Sequence, residues 1–171
     1  MKGRLLVLGT VALLGLALSA AAYADFHRID GTKGADMIIG TGGPDLIHAY
    51  AGADTVDAEG GNDRIRGGDG ADRLLGGGGD DFLRGNDGND VVQGGDGNDV
   101  LYVGRGIDAE FGGPGDDKLH ALANDNRVDA VDCGSGNDVA YENANERDVF
   151  VNCETVIRKV PTPAETADDN G

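Results

Sequence analysis

An aspartate recurs every nine residues through the middle of the chain, and this period constrains the fold more than any other feature. A glycine stands two residues before each aspartate. An aliphatic residue stands two residues after it in every unit but one, where Glu110 takes that place. A fixed short period predicts a solenoid built from stacked copies of one unit. The ten aspartates in this register are Asp36, Asp45, Asp54, Asp63, Asp72, Asp81, Asp90, Asp99, Asp108 and Asp117.

Each nine-residue unit divides into a turn and a strand. In GGDGADRLL (residues 67–75) and GGDGNDVLY (residues 94–102) the first six positions are rich in glycine, asparagine and aspartate. These residues tolerate positive φ and form tight turns. The last three positions place an aliphatic side chain inward and its two neighbours outward, because strand side chains alternate. We therefore expect an all-β solenoid over residues 31–120, with strands of about three residues and five coils of eighteen residues each.

Stacking of the coils would collect the aspartates on two edges of the solenoid. Neighbouring strands lie about 4.8 Å apart. Two carboxylates at that distance repel by roughly 3.5 kcal/mol at an effective dielectric constant near 20. A cation between successive turns would remove this repulsion. One edge would hold Asp36, Asp54, Asp72, Asp90 and Asp108, and the other would hold Asp45, Asp63, Asp81, Asp99 and Asp117.

Calcium suits these turns better than other cations do. It accepts six to eight oxygen ligands in flexible geometry, and glycine-rich turns offer backbone carbonyls beside the carboxylates. Magnesium requires stricter octahedral geometry and retains its waters. Transition metals prefer histidine or cysteine ligands, and His27, His48 and His120 share no motif.

The repeat resembles the GGxGxDxUx unit of the RTX (haemolysin-type) calcium-binding proteins over residues 31–120. The resemblance implies a parallel β-roll with calcium between successive turns on the same edge. The sixth-place aspartates, which here are the ten named above, would supply side-chain oxygens, and turn residues would supply carbonyls. Eight sites is the ceiling for five coils. We expect the most regular sites at Asp72, Asp81, Asp90 and Asp99.

Three units depart from the pattern. AYAGADTVD (residues 49–57) and AEGGNDRIR (residues 58–66) lack the first glycine, with Tyr50 and Glu59 in the second place. VGRGIDAEF (residues 103–111) places Glu110 at a core position, and we expect weaker binding at these three turns. The run NDGND (residues 86–90) superficially resembles an EF-hand loop, but it lacks the twelfth-place glutamate and flanking helices.

The N-terminus has the pattern of a secretory signal peptide. A basic start and a short apolar run precede an A-x-A site at residues 22–24, so we expect cleavage after Ala24 and a short lead over residues 25–30. An N-terminal membrane anchor is the alternative. Cleavage would change the net charge from −17 to −19, because residues 1–24 hold two cations and no acid. A chain this acidic repels nucleic acid and anionic lipid. The expected mature chain has no apolar segment long enough to span a membrane.

Beyond residue 120 the period breaks, and we expect degenerate repeats and a cap over residues 121–158. CGSGNDVAY (residues 133–141) places Asp138 in the aspartate position, and NANERDVFV (residues 143–151) is a degenerate copy around Asp148. An oxidising compartment favours a disulfide between Cys133 and Cys153, with two unpaired buried thiols as the alternative. The segment resembles the cysteine-bearing C-terminal caps of secreted RTX-repeat proteins. We expect residues 159–171 to form a flexible tail.

These features favour a secreted, non-enzymatic calcium-binding protein whose β-roll folds when Ca²⁺ binds. Few residues precede the repeats, and neither an H-E-x-x-H helix nor a G-x-S-x-G elbow occurs, so we expect no catalytic domain. The alternative is an extracellular adhesin or envelope spacer protein that uses the calcium-stabilised roll. Composition alone would also allow a disordered acidic spacer, but a disordered segment has no need to keep ten units in register.

Overall fold

A computed structural model describes residues 26–123 and 125–160, which form a β-solenoid of two parallel sheets. The all-β parallel architecture predicted from the repeat is confirmed. These residues contain no helix with the length and apolar character needed to span a bilayer. The predicted signal peptide at residues 1–24, Asp25 and most of the predicted tail lie outside the described residues.

Successive strands alternate between the two sheets, so that each pair of strands makes one coil. The first sheet has the order β1-β3-β5-β7-β9-β11-β13-β15, and its strands are β1 His27–Asp30, β3 Asp45–Ala51, β5 Arg64–Asp69, β7 Phe82–Asp87, β9 Val100–Arg105, β11 Lys118–Ala121, β13 Val139–Asn143 and β15 Thr155–Lys159. The second sheet has the order β14-β12-β10-β8-β6-β4-β2, and its strands are β2 Met37–Thr41, β4 Thr55–Glu59, β6 Arg73–Gly78, β8 Val91–Asp96, β10 Ala109–Pro114, β12 Ala130–Ser135 and β14 Val149–Val151.

The register between coils confirms the predicted eighteen-residue repeat. Leu74 pairs with Val92 in the second sheet, and Leu83 pairs with Leu101 in the first sheet. Beyond β11 the coil lengthens: Asp108 and Asp129 occupy equivalent places at a separation of 21 residues. The sheets continue through this change, because the additional residues lie in the connection between β11 and β12. The break in period therefore widens one coil and leaves the solenoid intact.

A column of inward-facing aliphatic side chains from each sheet forms the centre of the core, as the alternating pattern predicted. The aliphatic residues two places after the aspartates are buried from Ile38 to Leu119. The first place of each unit also faces inward, so the glycine replacements Ala49, Ala58 and Val103 are fully buried and extend the core. Seven of the fifteen strands have six residues and one has three, so the prediction of about three residues per strand was wrong. The glycines that begin the next turn remain in the ladder of hydrogen bonds and lengthen each strand.

The second place of the unit has a left-handed backbone from the third unit onward. Glycines occupy it in five units, but Tyr50, Glu59 and Asn86 adopt φ values of 79°, 67° and 76° there. Left-handed conformations disfavour residues with a Cβ. These three positions therefore carry local backbone strain.

The predicted disulfide between Cys133 and Cys153 is confirmed. The two Cα atoms are 5.1 Å apart, and Cys133 is fully buried in the core. Cys133 lies in β12 and Cys153 follows β14, the strand that pairs with β12 at the end of the second sheet. The bond therefore fastens the last coil to the one before it. In the same C-terminal coils, Asn143 donates a 2.7 Å hydrogen bond to the carbonyl of Ala123, and Arg158 pairs with buried Glu142.

Candidate metal centre

The ten aspartates end the turns of the solenoid, each immediately before a strand or at its first residue. The structure places them on two opposite edges as the spacing predicted, and nine of the ten are buried; Asp36 in the first coil is half-exposed. We call the column that begins at Asp36 the first ladder and the column that begins at Asp45 the second ladder. Burial of so many carboxylates is unusual in a soluble domain, and it demands partners for their oxygens.

One oxygen of each aspartate after the first coil holds the preceding coil in place. Its Oδ1 accepts a hydrogen bond from the backbone N–H of the aspartate one coil earlier, at 2.7–3.0 Å along both ladders. This contact was not predicted from the sequence. The carboxylate satisfies a buried backbone donor of the preceding coil. This requirement fixes the position of the aspartate within the turn.

Both ladders continue past the ten predicted aspartates. Asp129 and Asp148 extend the first ladder, and Asp138 and Glu154 extend the second. Asp138 and Asp148 lie at the aspartate positions that the sequence predicted. Asp129 was not predicted, because its separation from Asp108 is 21 residues. The signal that identifies Asp129 is Val131, a buried aliphatic residue two places later. The regular repeats have the same spacing between the aspartate and the core residue.

The other oxygen of most ladder aspartates has no hydrogen-bond partner although it is buried. In the first coil, by contrast, Oδ2 of Asp36 accepts a hydrogen bond from the backbone of Thr32, and Oδ2 of Asp45 accepts one from the backbone of Thr41. An unpartnered buried carboxylate oxygen is costly in free energy and marks a place where a ligand would be favoured. The Oδ2 atoms without a partner belong to Asp54, Asp63, Asp72, Asp81, Asp90, Asp99, Asp108, Asp117, Asp138 and Asp148.

A backbone carbonyl lies beside several of these unpartnered oxygens, at the first-place glycine of the same repeat. A Cβ on Gly76 would collide with Oδ2 of Asp81 and would lie 2.6 Å from the carbonyl oxygen of Gly94. Gly67 has the equivalent relation to Asp72 and to the carbonyl of Gly85. The missing side chain thus lets one carboxylate oxygen and one carbonyl oxygen approach the glycine closely. Both are ligands that hard cations prefer.

Burial raises the pKa of these carboxyl groups. It raises the pKa of Asp81, Asp90 and Asp99 to about 7, against an ordinary value of 3.8. The backbone N–H of the preceding coil acts in the opposite direction, and repulsion from neighbouring carboxylates adds a smaller increase. From the sequence, repulsion between stacked carboxylates was expected to be the main free-energy cost of stacking the turns. In the structure the larger effect is desolvation, because the turns cover the aspartates.

The ladder carboxyl groups of the C-terminal coils also have raised pKa values. Burial raises the pKa of Asp129 to about 8 and that of Asp148 to about 6, and it raises the pKa of Asp138 as well. Near neutral pH the carboxyl groups of Asp129 and Asp148 would therefore be divided between the protonated and ionised forms. A bound divalent cation would favour the ionised form, as any nearby positive charge does.

The carboxylates alone do not complete a metal site. Within residues 26–123 and 125–160, no group of three or more His, Cys, Asp or Glu side chains converges as a metal-binding cluster. A cation between two coils would thus take few carboxylate oxygens and complete its shell with turn carbonyls and water. That mixture of oxygen ligands is typical of calcium and unlike the nitrogen and sulfur sites of transition metals.

Glu110 occupies the core position that the sequence anomaly indicated. It is fully buried between Val92 and Val131 in the second sheet, where an aliphatic residue stands in the other coils. Oε1 accepts a 3.3 Å hydrogen bond from the backbone N–H of His120, and Oε2 has no partner. Burial holds the pKa of this carboxyl well above its usual range.

A comparison with protein families identifies the repeat. The family model described as RTX calcium-binding nonapeptide repeat (4 copies) matches residues 30–65, 54–83, 75–109 and 111–140. The matched segments include all ten predicted aspartates together with Asp129 and Asp138. No curated protein matches the chain.

Proposed function

The chain belongs to the family of RTX calcium-binding nonapeptide repeat proteins, and from this premise we propose that it is a secreted, non-enzymatic protein whose β-roll folds as calcium binds between successive turns. The proposed calcium ligands are the aspartates of the two ladders and the carbonyls of the glycine-rich turns. Secretion is proposed from the signal-peptide pattern and cleavage after Ala24.

The observation that carries the proposal is the row of unpartnered Oδ2 atoms along each edge. From Asp54 to Asp117 each aspartate keeps one oxygen on the backbone of its neighbour and leaves the other without a donor. A purely structural aspartate would have no reason to leave the second oxygen unsatisfied in a buried place. A hard divalent cation that binds these oxygens would satisfy them and offset their charge.

The same geometry connects calcium binding to folding. Each gap between turns exists only when two coils are stacked, so an unfolded chain cannot offer the complete ligand set. Without the ion, neutral pH would leave ionised carboxylates in a covered position. We therefore propose that the chain is loose where calcium is scarce and ordered outside the cell, where calcium-binding modules often have dissociation constants of about 10⁻⁴–10⁻³ M.

The sites are proposed to differ in strength. Asp72, Asp81 and Asp90 combine an unpartnered Oδ2 with a first-place glycine, and Asp99 and Asp117 have the same combination. The first coil is proposed to bind less strongly, because threonine donors already satisfy Oδ2 of Asp36 and Asp45. Ala49, Ala58 and Val103 place a side chain where the strongest sites have none, which supports weaker binding at Asp54, Asp63 and Asp108.

A calorimetric calcium titration combined with circular dichroism tests the proposal. We expect several calcium ions per chain, a gain in β-structure on calcium addition, and reversal by EDTA. Magnesium at the same concentration should give a much smaller change, because it dehydrates reluctantly and requires stricter geometry. Identical spectra with calcium and with EDTA, together with no heat of binding, would refute both the binding and its coupling to folding.

Secretion requires a separate measurement. N-terminal sequencing of protein recovered from culture medium should begin at Asp25. Recovery only with the cell envelope would favour the alternative proposal of an adhesin or spacer protein, which needs a surface that contacts another extracellular component.

A further inference from the structure

The exposed apolar side chains of the second sheet are concentrated at its two ends. On β2, the first strand of this sheet, Met37 and Ile39 have exposed fractions of 65% and 51%. On β14, the last strand, Val149 and Val151 have exposed fractions of 55% and 49%. Among the described residues of the strands between them, Phe111 is the one exposed large apolar side chain. We call the surface formed by the outer edges of β1 and β2 the N-terminal end of the solenoid, and that formed by β14 and β15 the C-terminal end.

Neither end strand of the second sheet carries a charge. β2 has the sequence MIIGT and β14 has VFV, whereas β4, β6, β8, β10 and β12 each include at least one charged residue. In the described part of the chain, no strand pairs with the outer edge of β2 or of β14. Natural proteins usually block the edge of a sheet with charges, proline or a covering segment, because its backbone N–H and C=O groups can pair with another strand. The two end strands are therefore suited to pairing.

The two end strands match each other in register and in chemistry. Strand pairing through the second sheet places Val149 in the same outward column as Met37, and Val151 in the same outward column as Ile39. When the C-terminal end of one chain continues the stack at the N-terminal end of another, the two exposed valines lie beside Met37 and Ile39, with about 4.8 Å between the strands. Such a contact covers all four exposed side chains at once.

The inward-facing columns continue across the same contact. Phe150 is partly buried at the C-terminal end of the second-sheet column and would meet Ile38 of the next chain. In the first sheet Val156 is in register with fully buried Ala140, yet it is 40% exposed, since no described coil follows it. Its partner in the next chain would be Ile29. All strands within each sheet are parallel, so the stack continues without a change of strand direction.

The first ladder also continues between these two ends. Inside the chain, the backbone N–H of one ladder residue donates to Oδ1 of the ladder residue in the following coil. Among the described residues, no coil follows Asp148 and none precedes Asp36. The N–H of Asp148 in one chain would therefore find its acceptor in Oδ1 of Asp36 in the next chain. Asp36 is half-exposed where the other ladder aspartates are buried, and a preceding coil would cover it.

We propose that the mature chain assembles head to tail, with the C-terminal end of one copy stacked on the N-terminal end of the next. The contact joins two different surfaces, so every assembly keeps one unused end of each kind and grows into a filament. The proposed cleavage after Ala24 leaves Asp25 and Phe26 before β1. Phe26 lies against the first sheet, with its ring centre 5.1 Å from Cζ of Arg64, and so does not cover β2. This inference rests on the proposed function, because the two ends form only when the signal peptide is removed and calcium has folded the coils.

Sedimentation velocity of the full mature chain at saturating calcium tests the assembly. We expect the average mass to rise beyond that of a dimer over about 1–300 μM protein, because one coil gives a small interface of modest affinity. Val151→Lys blocks the C-terminal end and Ile39→Lys blocks the N-terminal end, since each places a charge on an apolar edge strand. Each variant alone should associate at least about tenfold more weakly than wild type.

Phe111→Lys is the matched control. Phe111 lies in the same outward column as Ile39 and Val151, but in the middle of the sheet, so this variant should associate as wild type does. Met37→Lys and Val149→Lys repeat the test in the neighbouring column. Circular dichroism and calcium binding equal to those of wild type establish that each variant is folded.

A mixture of the two blocked variants distinguishes head-to-tail assembly from other contacts. The intact C-terminal end of the Ile39→Lys chain should bind the intact N-terminal end of the Val151→Lys chain. The mixture should therefore form dimers and nothing larger. A contact between two identical ends would instead let one blocked variant dimerise alone, and non-specific aggregation would not stop at dimers.

Four outcomes would overturn the inference: a wild-type chain that is monomeric at the highest concentration, dimers of one blocked variant alone, a mixture that stays monomeric, or equal weakening by Phe111→Lys. Assembly only after removal of residues 161–171 would also overturn it and assign the C-terminal end to the chain's own tail. A calcium titration of the same proteins separates the two proposals. Normal calcium binding by a monomeric wild type removes only the assembly, whereas absence of calcium binding removes the proposed function on which it rests.

Discussion

The backbone N–H of Asp72 donates a 2.8 Å hydrogen bond to Oδ1 of Asp90 in the following coil, while Oδ2 of Asp90 has no partner. One carboxylate thus has a structural oxygen and an oxygen that is left for a ligand. The two roles are chemically separable, because an amide can replace the first oxygen but not the second. The same division recurs along both ladders and makes each coil depend on the next.

The substitution Asp90→Asn should separate these roles. The amide oxygen can still accept the hydrogen bond from Asp72, whereas the charge and one ligand oxygen are lost. We expect the variant to keep at least as much β-structure as wild type in EDTA, because a buried charge has been removed. In calcium it should show a lower stoichiometry or an affinity about tenfold or more weaker at that site, measured by calorimetry.

Asp57→Asn is the matched control, since it removes the same charge from an exposed position on the second sheet. Its calcium stoichiometry should equal that of wild type. Unchanged stoichiometry and affinity in Asp90→Asn would contradict a ligand role for this aspartate.

The pKa values of the ladders predict how the calcium-free protein responds to pH. The folded-state pKa values of Asp81, Asp90 and Asp99 are raised from 3.8 to about 7. Protonation therefore favours the folded state: this contribution to stability is complete below pH 3.8 and is lost as the pH rises to about 7. In EDTA we expect β-structure to decrease between about pH 4 and pH 7, followed by circular dichroism. A flat profile over this range would contradict the burial of ionisable aspartates.

Calcium and protons should compete for the same carboxylates. Binding near pH 6 should release protons, because the ion favours the ionised form of groups that are partly protonated there. Calorimetry in two buffers of different ionisation enthalpy measures the number released. The apparent calcium affinity should also fall as the pH is lowered from 8 to 5. Equal heats in both buffers would show that the ladder aspartates are already ionised.

The period of the sequence predicted those features that repeat locally. Burial of one aliphatic column, such as Leu74 and Val92, fixes the register of eighteen residues, and that register places the aspartates on two edges. The strand length was underestimated because glycines such as Gly77, which have little intrinsic preference for strands, are held in the ladder by their neighbours. Pairing between coils, rather than the residue itself, decides their conformation.

Features that depend on an irregular coil or on atomic contacts between coils could not be predicted. Asp129 falls outside a nine-residue period because one coil is wider, and only the three-dimensional pairing restores its place. The role of Oδ1 as an acceptor from the preceding coil requires knowledge of how two turns stack.

Gly70 should not tolerate a side chain. Its φ is 136°, and a Cβ would overlap the carbonyl oxygen of Gly52 in the preceding coil. We expect Gly70→Ala to lose about 2–4 kcal/mol of unfolding free energy in calcium, from the unfavourable backbone conformation and from overpacking. Gly78→Ala is the control, because a Cβ there would meet no atom within 4 Å. Denaturant unfolding in calcium compares the two, and equal losses would contradict the close approach of the turns.

The disulfide should stabilise the C-terminal coils in particular. Cys133 and Cys153 enclose a loop with a sequence separation of 20, for which the chain-entropy model gives about 3 kcal/mol. We expect a double Cys→Ala variant to lose about this amount and to exchange amide hydrogens faster in β12 to β15 than in β5 to β9. Calcium binding at Asp72 to Asp99 should persist. Uniformly faster exchange along the whole solenoid would show that the bond supports the entire fold rather than its end.

We expect Glu110 to lower the free energy of unfolding. It lies in register between Val92 and Val131, has one long hydrogen bond, and its pKa is well above the usual range. A raised carboxyl pKa lowers the stability of the fold as the pH rises above the ordinary value of 4.5. Glu110→Val would continue the aliphatic column, and we expect a gain of about 1–3 kcal/mol at neutral pH, measured by denaturant unfolding in calcium. The gain should shrink as the pH is lowered, because a protonated carboxyl is less costly to bury.

Glu59→Gln removes an exposed charge and should change stability by less than about 0.5 kcal/mol. A less stable Glu110→Val protein would mean that the hydrogen bond to His120 outweighs the burial of the carboxyl.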